Sequence, residues 1–269
     1  LSKLAGDLAG ISLSSGKREL IYGRLVKRLR ALGLKDFKEY CTLLKNTEEE
    51  GGDKEERTHF INSITTNVTS FFRENHHFDF MAETLLPELI RKKSGDSQPR
   101  LRIWSAGCSS GKEPYSIAMI LKECIPDIER WDAKILATDL DSNILDVARS
   151  GVYPNDHIKE IPAAQSKRWF QVGRGLNEGS IKVVDEIKNM VTYRQLNLTE
   201  NWPMKGTFDI IFCRNVTIYF DRDTRVILLN GFADYLDDDG CLFVGHSESL
   251  FGLTQRFSTV GRTIHRKIR

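Results

Sequence analysis

Four stretches of this chain carry residue types whose spacing could do chemistry. The first is Leu101-Arg-Ile-Trp-Ser-Ala-Gly-Cys-Ser-Ser-Gly-Lys-Glu113, an apolar strand, a glycine-bearing turn and the start of a helix. Such a turn at the carboxyl edge of a sheet brings backbone N–H groups beside a ligand. It is not a Walker A loop, because no Gly-Lys-Ser/Thr closes it, and it lacks the Gly-x-Gly-x-x-Gly of pyrophosphate binders. The second is Asp139, at the end of the next strand, where a carboxylate can accept both hydroxyls of an unphosphorylated ribose. It could also cap the helix that starts at Ser142, and the two roles are compatible. NAD and S-adenosylmethionine both carry such a ribose, but S-adenosylmethionine has no pyrophosphate and does not need the three-glycine fingerprint.

The third stretch, Thr65-Thr-Asn-Val-Thr-Ser-Phe-Phe-Arg73, is dense in small polar groups. By composition alone it is a capped helix start above a buried Phe pair. The fourth, Phe208 to Phe220, is a strand that ends in Arg214-Asn215, polar groups where ligands collect in open α/β sheets. Val216 follows Asn215, so the Asn-Pro-Pro-Tyr type of signature carried by enzymes that methylate nucleic-acid amines is absent. His76-His77 invites a metal, but adjacent residues on a helix point apart and no third ligand is expected nearby. No metal is therefore assigned. His246, beside Ser247-Glu248, reads as a loop contact at a strand end and not as part of a serine triad.

The elements that must position these groups follow from periodicity. Residues 17–32 predict a helix with Ile21, Tyr22, Leu25, Val26, Leu29 and Leu32 on one face. Lys17, Arg24, Lys27 and Arg28 fall opposite, either as a solvated face or as a dock for an acidic surface. A second helix is predicted over Asp36–Leu44, then a loop or frayed helix start over Asn46–Glu56, so that residues 1–60 form a small helical domain. A helical segment over Asn75–Lys92 follows. After the polar break Ser94–Pro99, strands at Leu101–Trp104, Lys134–Thr138, Val191–Leu196, Phe208–Cys213 and Cys241–Gly245 alternate with helices at Glu113–Glu123, Ser142–Ser150 and Arg222–Leu236. This is the pattern of a doubly wound α/β sheet. Phe257–Lys267 adds two short edge strands. Arg168–Val172 and Ser180–Val184, joined by a glycine-rich turn, break the alternation and predict an inserted β-hairpin.

Composition limits the function classes. With 269 residues, 40% hydrophobic and 28% charged, the chain is long enough for one or two ordinary globular domains. A net charge of +2 is too small to imply nucleic acid. The distribution is more telling: Lys17–Lys35 holds seven Lys/Arg against Glu19, and Glu48–Glu56 holds six acids against Lys54. No apolar run of about 18 residues exists to span a membrane. Leu1–Leu20 lacks the layout of a signal peptide, although the chain opens on Leu1 as a trimmed one would. The five cysteines are scattered with no C-x-x-C pair, which predicts neither disulfides nor zinc and fits the cytoplasm.

Together these segments resemble the CheR-type chemotaxis receptor methyltransferases over almost the whole chain. The match is carried by Tyr22-Gly-Arg-Leu-Val-Lys-Arg-Leu-Arg-Ala-Leu-Gly-Leu34, Thr66-Asn-Val-Thr-Ser-Phe-Phe-Arg-Glu74, Trp104-Ser-Ala-Gly-Cys-Ser-Ser-Gly-Lys-Glu-Pro-Tyr-Ser-Ile-Ala118, Ala137-Thr-Asp-Leu-Asp141, Cys213-Arg-Asn-Val-Thr-Ile-Tyr-Phe220 and Gly245-His-Ser-Glu-Ser249. The resemblance implies an α/β fold: a Rossmann-like S-adenosylmethionine-dependent methyltransferase domain with a mainly parallel seven-stranded sheet, a small N-terminal all-α domain and an inserted antiparallel β-subdomain. The expected divisions are 1–62 for the helical, receptor-docking domain, 63–98 for a linker and helix, and 99–269 for the cofactor domain with its insert at 165–190.

The resemblance also implies roles. Asn67, Thr69 and Arg73 line the methyl-donor end, Ala106 and Gly107 of the turn bind the cofactor, and Glu113 holds the methionine amino group. Asp139 holds the ribose, Asn197 and Leu198 bracket the adenine, and Arg214, Asn215 and Tyr219 complete the pocket. Lys112 stands where the family commonly has an acidic residue and is expected to point to solvent. The implied reaction is methyl esterification of receptor glutamates. A glutamate carboxylate is already ionised at pH 7 and needs positioning and partial desolvation more than a base. Arg73 would orient it and Tyr219 would donate one hydrogen bond. Arg24, Lys27 and Arg28 would dock the acidic methylation helices of the receptor, and Arg174 belongs to the hairpin loop that in some members captures the receptor's C-terminal pentapeptide. The alternatives are a non-catalytic S-adenosylmethionine-binding signalling module and a methyltransferase acting on another small molecule or protein. Nucleic acid and direct membrane insertion are not expected.

Overall fold

In the computed structural model, residues 1–11, 18–46 and 54–268 are described. The N-terminal helices are α1 (Ser2–Ala9), α2 (Arg18–Ala31), α3 (Phe37–Asn46) and α4 (Lys54–Ile64). Their apolar faces meet in a core of their own around Leu25, Tyr40, Leu44 and Phe60. Under that core lies a polar anchor. Glu56 is 1% exposed and accepts from the Tyr40 hydroxyl (2.7 Å) and from the Arg28 Nε (3.0 Å). Arg24 donates to the carbonyls of Ser63 (3.0 Å) and Thr65 (2.7 Å), which satisfies the otherwise unpaired C-terminal carbonyls of α4. Arg24 and Arg28, expected on the free face of α2, are thus turned inward, and Lys27 stays exposed. Lys17, at the start of the predicted helix, and residues 47–53 of the predicted acidic loop lie outside the described residues.

After an extended stretch over residues 65–70 the chain enters α5 (His76–Phe80), a π-helical turn (Met81–Leu85) and α6 (Leu86–Lys93). The predicted single helix is therefore present with one wide turn. Pro87 has no N–H and its ring crowds the carbonyl one turn back, which is a physical cause for that widening. Phe78, Met81, Leu85 and Leu86 pack into the core beneath the sheet.

The remaining elements are β1 (Arg100–Ala106), α7 (Lys112–Cys124), β2 (Asp132–Asp139), α8 (Ser142–Ser150), β3 (Val152–Pro154), α9 (Ala163–Trp169), β4 (Phe170–Val172), β5 (Ser180–Val183), α10 (Asp185–Lys188), β6 (Val191–Gln195), β7 (Phe208–Cys213), α11 (Arg222–Tyr235), β8 (Leu236–Val244), β9 (Phe257–Gly261) and β10 (Ile264–Lys267). Seven strands form one sheet in the order β6-β2-β1-β7-β8-β10-β9. β10 is antiparallel to both of its neighbours, and the strands from β6 to β8 are parallel. β7, buried at every position, lies in the middle, as a strand covered on both faces must. The chain order reverses between β1 and β7, and at such a switch point the loops part to leave a crevice outside the carboxyl ends.

The inserted element differs from the predicted hairpin. It is a three-stranded antiparallel sheet in the order β3-β5-β4, because Val152–Pro154 pairs with β5. Arg168 and Trp169, read as strand, end α9 instead. Trp169 is buried and donates through Nε1 to Glu123 (2.7 Å), a tertiary contact that strand periodicity does not register.

Candidate active site

The crevice at the switch point is a cavity of ≈ 240 Å³. Its floor is the turn after β1. Gly107 has φ +79, and a Cβ there would meet the Val216 side chain at 2.3 Å, so only glycine fits. The N–H groups of Gly107 and Cys108 both donate to the Thr138 carbonyl (2.8 Å each), which ties the turn to the end of β2.

Asp139 lies beside the turn, 9% exposed, and accepts from the N–H of Ser109 (2.7 Å) and of Asp141 (3.0 Å). Burial raises its carboxyl from 3.8 to about 6, although these two bonds favour the ionised form. The helix-capping role weighed for Asp139 belongs to Asp141. Its Oδ1 accepts from Asn143 and Ile144 at the start of α8, and its Oδ2 accepts from the side chains of Thr65 (2.9 Å) and Asn67 (2.8 Å). One carboxylate thus starts a helix and pins the extended stretch to the cavity rim.

A chain of charges forms the opposite wall. Glu113 accepts from the Ser105 hydroxyl (2.7 Å) and from Arg214 (3.1 Å), with the guanidinium only 2% exposed. Burial raises the Glu113 carboxyl, and Arg214 opposes that. Arg214 also lies 3.5 Å from Glu74 and donates to the carbonyl of Arg73. For Glu74, burial acts upward, but hydrogen bonds from His246 and the charge of Arg214 outweigh it and hold the carboxyl down to about 2. Phe72 and Glu74, flanking Arg73, have φ 52 and 56. Positive φ at such residues stores strain, and tertiary bonds such as Phe72 N–H to the Ser116 hydroxyl (3.0 Å) hold it. Arg73 itself donates to the Val68 carbonyl (2.8 Å). Tyr219 reaches the cavity from the turn Thr217–Tyr219, and burial keeps its hydroxyl protonated.

Among the residues predicted from sequence, Asn67, Thr69, Arg73, Gly107, Glu113, Asp139, Asn197, Leu198, Arg214, Asn215 and Tyr219 all line this cavity. Ala106 does not. It ends β1 facing the core and is 1% exposed. Arg24, Lys27, Arg28 and Arg174 lie elsewhere. Lys112, expected in solvent, is 6% exposed and donates to the Thr69 carbonyl (3.2 Å), so it braces the stretch that carries Asn67 and Thr69. Burial lowers the pKa of its ammonium. The expectation of no third ligand beside His76-His77 also fails. Glu74, His76 and His77 offer atoms within 4.8 Å of one another, because the strained turn folds Glu74 back over the start of the helix. Arg214 already supplies positive charge to Glu74 there.

Residues missed from sequence include Ala9 and Ile11, which bring the N-terminal helices over the cavity. Asn197 fixes them by donating to the Leu8 carbonyl (3.1 Å). Nothing in the spacing of a short helix at the chain start points to a cavity far away in sequence.

The sheet order, with β10 antiparallel beside β8, and a buried carboxylate closing the second strand match the layout of the S-adenosylmethionine-dependent methyltransferases. Comparison with known proteins agrees. The model described as "CheR methyltransferase, SAM binding domain" matches residues 67–266, and the CheR methyltransferase all-alpha domain matches residues 1–65. The chain is 43% identical to a probable chemotaxis protein methyltransferase of Rhizobium etli, over 96% of this chain and 94% of that one. It is 43% identical to the chemotaxis protein methyltransferase of Escherichia coli, over 98% and 88%, and 44% identical to chemotaxis protein methyltransferase 2 of Pseudomonas aeruginosa, over 96% and 88%. The chain belongs to the CheR methyltransferase family, and its methyl donor is S-adenosylmethionine.

The cavity fits that donor. Asp139 and Glu113 keep two buried carboxylates on the cavity wall, and the left-handed Gly107 lets the floor close against Val216. Among the described residues, no helix is long and apolar enough to cross a membrane.

Proposed function

We propose that this methyltransferase esterifies glutamate side chains on the cytoplasmic helices of chemotaxis receptors. The observation that carries the reading is the ionisable inventory of the cavity: Arg73, Arg214, Tyr219, Cys108, and two carboxylates already engaged, with no lining histidine or lysine among the described residues. A hydroxyl or amine acceptor would need a base to take its proton. A carboxylate needs none, only a cation to orient it and few enough donors to leave it nucleophilic.

When bound, S-adenosylmethionine supplies a methyl group activated by a positively charged sulfur. On this proposal Glu113 holds the donor's amino group, Asp139 its ribose hydroxyls, and Asn197 and Leu198 flank its adenine. Arg73 orients the receptor carboxylate beside Asn67 and Thr69, and Tyr219 donates one hydrogen bond. Arg214 and Asn215 complete the wall. Most of the acceleration is assigned to alignment, which can be worth about 7 kcal/mol or more.

Docking falls to the exposed part of α2, with Lys27, toward the acidic methylation helices. The outer strand β4 supports a second contact. It is one of the two edge strands of the small sheet, is followed by exposed Arg174 and Leu176, and can add an extended peptide such as a receptor's C-terminal pentapeptide. The reading is tested by incubating the protein with labelled S-adenosylmethionine and receptor cytoplasmic domains. A base-labile methyl on the receptor is expected, and an Arg73→Ala protein should bind S-adenosylhomocysteine but transfer poorly. Absence of base-labile label would overturn the proposal.

A further inference from the structure

The wall that carries Arg214, Asn215 and Tyr219 is built around a carboxylate from another part of the chain. Glu248 lies in the turn after β8 and is 6% exposed. Its Oε2 accepts from the N–H of Asn215 (2.7 Å) and of Gly245 (2.5 Å). Its Oε1 accepts from the N–H of Val216 (3.0 Å) and Thr217 (2.7 Å) and from the Thr217 hydroxyl (2.8 Å). These donors occupy a group with about four lone-pair directions, so little capacity remains for anything else.

The backbone shows why the carboxylate is required. Asn215 is left-handed, with φ 59, and Val216 follows in the right-handed region, with φ −114 and ψ −46. That alternation turns consecutive N–H groups to one side and makes an anion-binding concavity. Here the anion is internal. Without it three adjacent N–H dipoles would converge on empty space, and Asn215 would have little reason to stay left-handed.

Three parts of the cavity depend on this arrangement. Asn215 lines it directly. The side chain of Val216 stands on Gly107, where an added Cβ would meet it at 2.3 Å, so the wall and the glycine floor are in register. Thr217 opens the short turn that delivers Tyr219. Glu248 itself is not among the lining residues.

We propose that Glu248 is a positioning residue for the methyl donor: its carboxylate fills the backbone concavity at residues 215–217 and so sets the cavity wall at its binding distance from the glycine floor. The inference rests on the cavity being the S-adenosylmethionine site. Its test reads donor binding with no receptor present, so its failure is distinct from failure of receptor methylation.

The experiment compares Glu248→Gln with the unaltered protein. A carboxamide of equal size offers a single acceptor oxygen and places an NH2 among N–H donors. Calorimetry should show the Kd for S-adenosylhomocysteine rising about tenfold or more, the scale of losing hydrogen bonds to a charged group. The KM for S-adenosylmethionine should rise with it, and kcat at saturating donor should change less. A purely structural role would lower Tm and leave Kd of the folded protein unaltered, and that result overturns the proposal. Should Glu248→Gln not fold, Thr217→Val and Thr217→Ser decide. Loss of the hydroxyl in Thr217→Val should weaken S-adenosylhomocysteine severalfold, and Thr217→Ser, which keeps it, should restore binding. Equal affinities for the two would overturn the inference.

Discussion

Asp139 shows how one residue's environment sets a measurable property of the site. Its carboxyl titrates at about 6, pushed up by burial, so near that pH it is part protonated in the free protein. Only the ionised form offers acceptors to both ribose hydroxyls. Folding favours the protonated form and donor binding favours the ionised one, so donor affinity should be full above about pH 7 and fall as pH drops through about 6, with a limiting slope of about tenfold per pH unit. Calorimetry with S-adenosylhomocysteine from pH 5 to 8 measures this, and Asp139→Asn should bind weakly with a flat profile. A flat profile for the unaltered protein would contradict the assignment. Glu74 gives no such signal in that window, because it is held down to about 2.

At the scale of an element, α2 divides its basic residues between two jobs. Arg28 reaches the buried Glu56, which also receives the Tyr40 hydroxyl, and Arg24 caps α4. Lys27 is exposed. Charge reversal along the helix should therefore separate into two phenotypes. Arg28→Glu places like charges beside a buried carboxylate and should cost about 1–3 kcal/mol in denaturant unfolding. Lys27→Glu should leave unfolding unchanged and slow receptor methylation, more strongly at low salt than at high. Equal methylation rates for Lys27→Glu and the unaltered protein at low salt would return that residue to simple solvation.

At the scale of the whole molecule, the proposed function assigns two separate surfaces to one reaction. The catalytic cavity takes its lining from the N-terminal helices, the extended stretch and the sheet edge together. The small sheet lies apart, with β4 as one of its two edge strands. Tethering there would raise the local concentration of receptor without touching the chemistry. A peptide ending in a receptor's aromatic-containing pentapeptide should bind the protein, and Val172→Pro should abolish that binding by blocking strand addition, with donor affinity intact. A Val172→Pro protein that binds the peptide normally would remove the tether.

Most lining residues away from the strand ends followed only from the family resemblance; the sequence by itself determined the element order, most strands of the large sheet and the polar groups at its strand ends. These are local signals: apolar runs fix strands, caps fix helices, and polar groups at strand ends fall at the carboxyl edge wherever the sheet forms. Only the tertiary structure decided which groups face one another. Lys112 turned inward to brace Thr69, Ala106 turned into the core, and Arg24 and Arg28 were spent inside the helical domain. Likewise the capping role fell to Asp141, the extended residue directly before α8, whose side chain accepts from the N–H of Asn143 and Ile144. The third strand of the small sheet and the Glu248 concavity pair segments too distant in sequence for any periodicity to join. A buried charge needs partners, and their identity depends on packing that no local spacing encodes.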